Sequence, residues 1–358
     1  MGLPEIKITF QRKASAAIRQ GSRGLVAVIL DDATKDQFLT PYTRWQEVAE
    51  EDWAEESLQA LKLVFKGSPQ RVVAVRLLKK EEAADLKGTL DEILSLNMDY
   101  LVYPGFTAAD RETVKNFIAT AYLDGKKVKA VLPDYDADDP HIINFTTPSV
   151  TAKWPEEEEP VEYTGAQYCC RIAGILAGLP LMQSCTYYEL TEVVDAELAA
   201  DPDTEIDAGR LIIVFDGEKY KLGRGVTSLV TVTESMPEDL KKIKIMEGMD
   251  VIRYDIYSTF EDVYVGKVAN SYDNKQIFVG AVNNYFRQMY GSVLDGNEEN
   301  YVQVSAEGNR KYLEGKGVDT SEMTDQELLE ANTGSHLFLE GECRFLDAME
   351  DLDLTMNM

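Results

Sequence analysis

Histidine is almost missing: His141 and His336 are the only two in 358 residues. A Ser-His-Asp apparatus needs a base held beside a nucleophile by an orienting acid. Asp138 and Asp139 stand near His141 in DDPHIINF, but no GxSxG segment marks a nucleophile. Both histidines are therefore expected to be structural. Cysteine is scarce as well, with Cys169, Cys170, Cys185 and Cys343 and no CxxC among them. The adjacent pair lies in YCCRIAGILAGL, which reads as the buried wall of a helix, so reduced thiols and a cytosolic setting are expected. Phosphate loops are absent too. GEKYKLGRGV carries Gly217, Gly223 and Gly225 but neither GxxxxGK[ST] nor GxGxxG, so these read as turn glycines. HExxH and a complete EF-hand loop are missing. DYDADD (134–139) lacks the glycine and final glutamate of the latter, and reads as a solvated acidic loop rather than a loose Ca²⁺ site. No cofactor and no metal are implied. No apolar run reaches the roughly 18 residues that span a bilayer. The opening MGLPEIKITF has no basic stretch followed by an apolar core, so no secretory signal is expected, and MGLPEI lacks the serine or threonine expected for myristoylation. Cations are outnumbered, 36 against 63 anions, for a net charge of -27. That argues against nucleic acid and against an anionic membrane surface as partners.

What is present is an alternation of strands and helices. GLVAVIL (24–30), RVVAVRLL (71–78), YLVYPG (100–105) and KVKAVLPD (127–134) read as strands. DWAEESLQALKLVF, residues 81–97 and ADRETVKNFIATAYLDG read as the helices between them. That order predicts a mainly parallel sheet covered by helices, an α/β (mixed α+β) fold. KWPEEEEP (153–160) is a loop, and the domain boundary is expected there. The expected division is 24–155 for an N-terminal α/β domain and 156–340 for a second α+β domain. Residues 163–179 read as an apolar helix, and Asp216-Gly217 as a hairpin turn. Met249, Ile252, Ile256 and Phe260 form one helical stripe, and Phe278, Val282, Tyr285 and Met289 another. Thr324 with Glu327 fits a capping box.

The two ends carry a different pattern. EIKITFQ places Ile6, Ile8 and Phe10 on one side of an extended chain. LDLTMNM does the same with Leu352, Leu354, Met356 and Met358. The connector RKASAAIRQGSRG that follows the first strand is small, basic and polar. Residues 1–23 sum to 5 − 1 = +4, and residues 340–358 to 1 − 6 = −5. Two amphipathic strands, at ends of opposite charge, fit either of two arrangements. Each joins its own subunit's sheet, or each is lent to a neighbour as an added strand. A head-to-tail exchange of that kind closes into a ring or continues as a helix. Burying four such side chains gives roughly 6–12 kcal/mol gross against about 4–15 kcal/mol for association, so several arms per subunit are needed.

Four segments resemble the contractile tail sheath proteins of bacteriophages and phage-tail-like bacteriocins. They are LPEIKITFQRKASAAIRQGSRG, YCCRIAGILAGLPLMQSCTYYEL, the stretch IKIMEGMDVIRYDIYSTFEDVYVGKVANSYDNKQIFVGAVNNYF, and HLFLEGECRFLDAMEDLDLTMNM. The likeness runs through essentially the whole chain and is closest to the short sheath proteins of Gram-positive phages, prophages and tailocins. It implies a two-domain sheath subunit with extended N- and C-terminal β-strand arms, residues 1–23 and 341–358. It implies a helical homo-oligomer around an inner tail tube protein, with baseplate and tail terminator proteins as further partners. It also implies contraction that drives the tube through a cell envelope, with no enzymatic step. Assembly in the bacterial host cytoplasm and release in a virion or tailocin particle follow from the same likeness. On this reading the inter-subunit arms are Ile6, Ile8 and Phe10, and Leu352, Leu354, Met356 and Met358. The hinge is Arg12, Lys13, Gly21 and Gly24. A helix over 276–290 faces the tube with Asn283, Arg287 and Gln288. A static lattice protein, or an α/β enzyme whose site leaves no sequence signature, are the alternatives.

Overall fold

The computed structural model describes residues 17–358 apart from 82 and 235. These residues divide into two compact units, 21–254 with 345–358, and 17–20 with 255–344.

In the larger unit the chain runs β1 (Leu25–Leu30), β2 (Leu39–Tyr42), α1 (Glu55–Phe65) and β3 (Arg71–Arg76). A short hairpin of β4 (Lys79–Lys80) and β5 (Ala83–Ala84) precedes α2 (Leu86–Ile93), β6 (Tyr100–Val102), α3 (Arg111–Leu123), β7 (Lys129–Pro133) and β8 (Ile142–Phe145). Then come β9 (Ser149–Ala152), β10 (Val161–Thr164), α4 (Gly165–Gly178), β11 (Val193–Ala196), α5 (Pro202–Asp207), β12 (Arg210–Leu211), β13 (Ile213–Phe215) and β14 (Tyr220–Leu222). The main sheet has seven strands in the order β12-β8-β7-β6-β1-β3-β2, parallel throughout except for β2.

The unbroken apolar run of β1 follows from burial on both faces. Val26, Val28 and Leu30 point into one core with α1 and α4, and Ala27 and Ile29 into the other with α2 and α3. α4 is the deepest helix, with Cys169, Cys170, Ile172 and Ala173 fully buried. It opens on a Thr164–Gln167 capping box. It crosses the end of α1 so closely that a Cβ on Gly174 would lie 2.1 Å from the Val64 carbonyl oxygen. The sequence expectation of a helix over 81–97 is shortened to α2. Glu81 takes a left-handed turn, and Asp85 caps α2 by accepting from the Gly88 amide at 2.9 Å.

The expected boundary near residue 155 is not where the chain divides. After the acidic loop, α4 packs beneath the first sheet, and β12 pairs in parallel with β8. The core therefore closes over residues on both sides of the loop. The acidic run is solvated as expected, with Glu156, Glu158 and Glu159 exposed, although Glu157 binds Lys62 at 2.6 Å and Glu156 pairs with Lys66.

Helix α6 (Ile243–Thr259) spans the division at 254/255. The smaller unit contains a π-helical turn (Phe260–Tyr264), α7 (Tyr272–Gln288), β15 (Tyr301–Val304), α8 (Ala306–Gly315), α9 (Asp325–Glu330) and β16 (Leu339–Glu342). The predicted stripe Phe278, Val282, Tyr285 and Met289 is buried, and the Thr324–Glu327 capping box opens α9. Among the described residues no helix is long and apolar enough to cross a membrane.

Candidate inter-subunit site

The smaller unit holds one two-stranded antiparallel sheet, β15 paired with β16, in the register Tyr301↔Glu342, Val302↔Gly341, Gln303↔Glu340 and Val304↔Leu339. A pair this small is marginal without a covering layer or further strands. α7 provides the layer, and it also reaches the edge. The Asn283 amide donates to the Val302 carbonyl at 2.9 Å and its oxygen accepts from the Val302 N–H at 2.7 Å. Val302 thus points its backbone away from β16. By antiparallel alternation its opposite residue, Gly341, points away from β15, and so does Leu339. Ser305 confirms this phase by donating to the Phe338 carbonyl at 2.9 Å. The outer edge of β15 is blocked at its centre by a side chain that imitates a strand. The outer edge of β16 has no partner among the described residues. Gly341 cannot be replaced freely, since a Cβ there would meet the Tyr301 carbonyl oxygen at 2.0 Å. The exposed face of the pair is acidic, with Glu340 and Glu342 beside Gln303.

The carboxyl end is tied down and then released. Lys242 pairs with Asp347 and, at 3.2 Å, with Glu350. Lys244 donates to the Leu346 carbonyl. Glu350 also accepts from Ser184 at 2.9 Å and Thr186 at 2.6 Å, and Arg224 holds Asp351 at 2.5 Å. Beyond Asp351 nothing holds the chain among the described residues. Leu352, Leu354, Met356 and Met358 are 88%, 69%, 79% and 123% exposed. The expected arm of 341–358 therefore narrows to 352–358: residues 339–342 belong to the subunit's own sheet, and 345–351 are anchored by basic side chains of their own unit.

At the other end Ile6, Ile8, Phe10, Arg12 and Lys13 lie outside the described residues. Gly21 is exposed and stands where the larger unit begins. Gly24 does not fit a hinge. It is buried at φ +89°, where a Cβ would lie 2.9 Å from the Ala177 carbonyl oxygen, and its own carbonyl accepts from Arg71 at 3.2 Å. The preceding residues are held as well. Ile18 is buried, the Arg19 N–H donates to Thr259 at 3.0 Å, Lys127 donates to the Ser22 carbonyl at 2.6 Å, and Arg23 pairs with Glu247. Of the three residues expected to face a tube, Asn283 is committed to β15, while Arg287 and Gln288 are exposed on α7.

The residues that sequence reading passed over are the ions beneath α6. Glu247 and Asp250, one turn apart, are buried. Asp250 meets Lys129 at 2.9 Å and the His141 ring at 3.1 Å; Glu247 accepts from Tyr100 and pairs with Arg23; Lys127 meets Asp99 at 2.7 Å. Burial disfavours a charged His141. The Asp250 carboxylate, with hydrogen bonds to Asp139 and Asp250, outweighs it and raises the ring's pKa to about 9. Both ring nitrogens are thereby engaged by carboxylates, a structural role. The loop carboxylates are spent likewise, Asp136 on Arg210 and Asn144, and Asp138 on the amides of Val230 and Thr231.

Comparison with known proteins agrees with this inventory. The phage tail sheath protein central domain matches residues 79–228, and the phage tail sheath C-terminal domain matches 235–358. The tail sheath protein of Clostridium phage phiCD119 is 32% identical over 374 residues, covering 100% of this chain and 99% of its own. Among solved structures, the sheath tail protein of Desulfitobacterium hafniense aligns with a TM-score of 0.66 at 14% identity, over 84% of this chain and 93% of its own. The contracted helical sheath of the anti-feeding prophage aligns with a TM-score of 0.67 at 15% identity, over 100% and 99%. With a relative of that identity along its full length, and domain matches over most of its residues, this chain belongs to the phage tail sheath family and is a structural sheath subunit.

Proposed function

We propose that the subunit polymerises helically around an inner tail tube, linked to its neighbours by exchanged strands, and that contraction of this lattice drives the tube through a target envelope. The observation that carries this is the pairing of a deficit with a surplus. The β16 edge lacks a strand, and the chain ends in a strand-patterned segment, 352–358, whose apolar side chains have no cover. An exposed edge is a template for another chain, and augmentation supplies main-chain hydrogen bonds with side-chain register. The amphipathic segment 5–11, at the head of the basic stretch 1–23, is a second donor strand. Baseplate and terminator proteins would bound the lattice at its two ends. Arg287 and Gln288 would face the tube. Work would come from surface buried on contraction rather than from a catalysed reaction. Assembly would take place in the bacterial host cytoplasm, with the sheath then carried in a phage or bacteriocin particle.

Electron microscopy of concentrated purified protein tests the reading. The full chain should form tubes, and a chain lacking residues 1–20 should remain folded as discrete particles. Normal tubes from that truncation would overturn strand exchange.

A further inference from the structure

The smaller unit also carries a recess that strand exchange does not use. We propose that this recess binds a small organic acid, its carboxylate on Lys275 and its apolar body against Phe260, Tyr264 and Phe278.

The recess is a cavity of about 450 Å³, a size that suits a small ligand. One wall is aromatic. The rings of Tyr264 and Phe260 lie 4.8 Å and 5.2 Å from that of Phe278, centroid to centroid. Two of the three rings come from the π-helical turn Phe260–Tyr264, a rare helix geometry that frequently marks functional sites. Val265 and Val268 carry the apolar wall to the mouth, where they are exposed.

The polar element is a buried cation. Lys275 is 3% exposed, and its ammonium ends on two neutral oxygens, the Ala331 carbonyl at 3.2 Å and the Thr333 hydroxyl at 3.1 Å. Both contacts are long for a charged donor, and an ammonium has three N–H groups to place. Burial lowers the pKa of Lys275, and no carboxylate opposes that effect among the described residues. Asp273, in the same turn, points to solvent instead. The other buried lysines of the chain behave differently: Lys127 meets Asp99 and Lys129 meets Asp250. Lys275 also stands in the first turn of α7, the end of a helix where the macrodipole disfavours a cation. A ligand carboxylate would compensate the buried charge and the helix end together. A neutral ligand would leave both as they are, and an amine would be repelled. The recess therefore selects one negative charge joined to an apolar body.

Titration calorimetry of the unassembled full chain with hydrocinnamate tests this, with hydrocinnamamide as the neutral isostere. The acid should bind with a dissociation constant of about 1 mM or tighter. It should bind about tenfold more tightly than the amide, the difference a hydrogen bond to a charged group makes. Lys275→Met keeps the apolar stem and should abolish the preference for the acid. Val268→Glu sets a second carboxylate at the exposed mouth and should weaken the acid about tenfold while leaving the amide unchanged. Equal affinities for acid and amide, a preference that survives Lys275→Met, or no heat from the acid up to about 10 mM would overturn the proposal. If Lys275→Met does not fold, the loss or persistence of acid binding in Val268→Glu decides. Assembled tubes separate the possible occupants. Acid still bound in tubes supports a free ligand. Its complete displacement on polymerisation would overturn that assignment in favour of an acidic side chain from a neighbouring subunit. None of these readouts depends on whether strands are exchanged.

Discussion

Asp250 is the residue on which the buried charge of the larger unit balances. It lies at 1% exposure between Lys129 and His141, both also buried. Removing one partner of such a set leaves uncompensated charge and costs about 3–5 kcal/mol. Asp250→Asn should therefore lower the midpoint of thermal unfolding by many degrees, measured by calorimetry on unassembled protein. The same site gives a pH dependence. A histidine whose pKa is raised from 6.5 to about 9 in the folded state adds stability that is complete below about 6.5 and is lost as pH rises through about 9. Stability should fall across that window by on the order of 3 kcal/mol, and His141→Gln should flatten the slope. A flat profile in the unsubstituted protein would remove His141 from the account. Gly174 is the steric counterpart: Gly174→Ala must push apart the α1–α4 crossing and should cost about 1–3 kcal/mol.

At the scale of elements, α6 shows why some of the fold was hidden in the sequence. Its apolar stripe, Met249, Ile252, Ile256 and Phe260, is legible, yet only Ile252 of the four is fully buried. The deepest face carries Ile243, Met246, Glu247 and Asp250. A carboxylate in a single sequence reads as solvent-facing, because its buried cation arrives from a strand more than a hundred residues away. α7 misled in the same way. Its buried face was correctly read, but Asn283 reads in the sequence as a tube-facing residue, and only the tertiary contact revealed it as the clasp on Val302. On the proposed tube-facing role of the exposed Arg287, Arg287→Glu should leave self-polymerisation intact while abolishing co-assembly with tube protein, scored by the fraction of tubes with a filled lumen. For the tail, Leu354→Asp should leave the melting transition unchanged and prevent tube formation; a lost transition would place that strand in its own subunit's core.

Over the whole molecule the chain passes between its two units three times, after Gln20, Tyr254 and Arg344. Each passage is adjacent to something anchored: Arg23 on Glu247, α6 on the sheet, and residues 345–351 on Lys242 and Arg224. The free tail is consequently only seven residues, with a reach of about 23 Å at 3.3 Å per residue. On the proposed strand exchange, a neighbour that accepts it must present an open sheet edge within that span. Inserting six Gly/Ser residues between Asp351 and Leu352 should keep tubes forming while loosening their helical order, seen as weakened layer lines in image transforms. Deleting 352–358 should prevent polymerisation without lowering the monomer's melting temperature.

The sequence by itself determined the elements whose cause is local: the doubly buried strands, the capped helices, the amphipathic tail and the opposite charges of the two ends. Each of these is written in a period of two or 3.6, or in composition. The tertiary structure alone decided where the chain divides, which carboxylates are buried, how little of the carboxyl end is free, and which edge of the small sheet stays open. Those outcomes depend on partners distant in sequence, and no local period encodes which buried cation will meet a given carboxylate or which amide will close a strand.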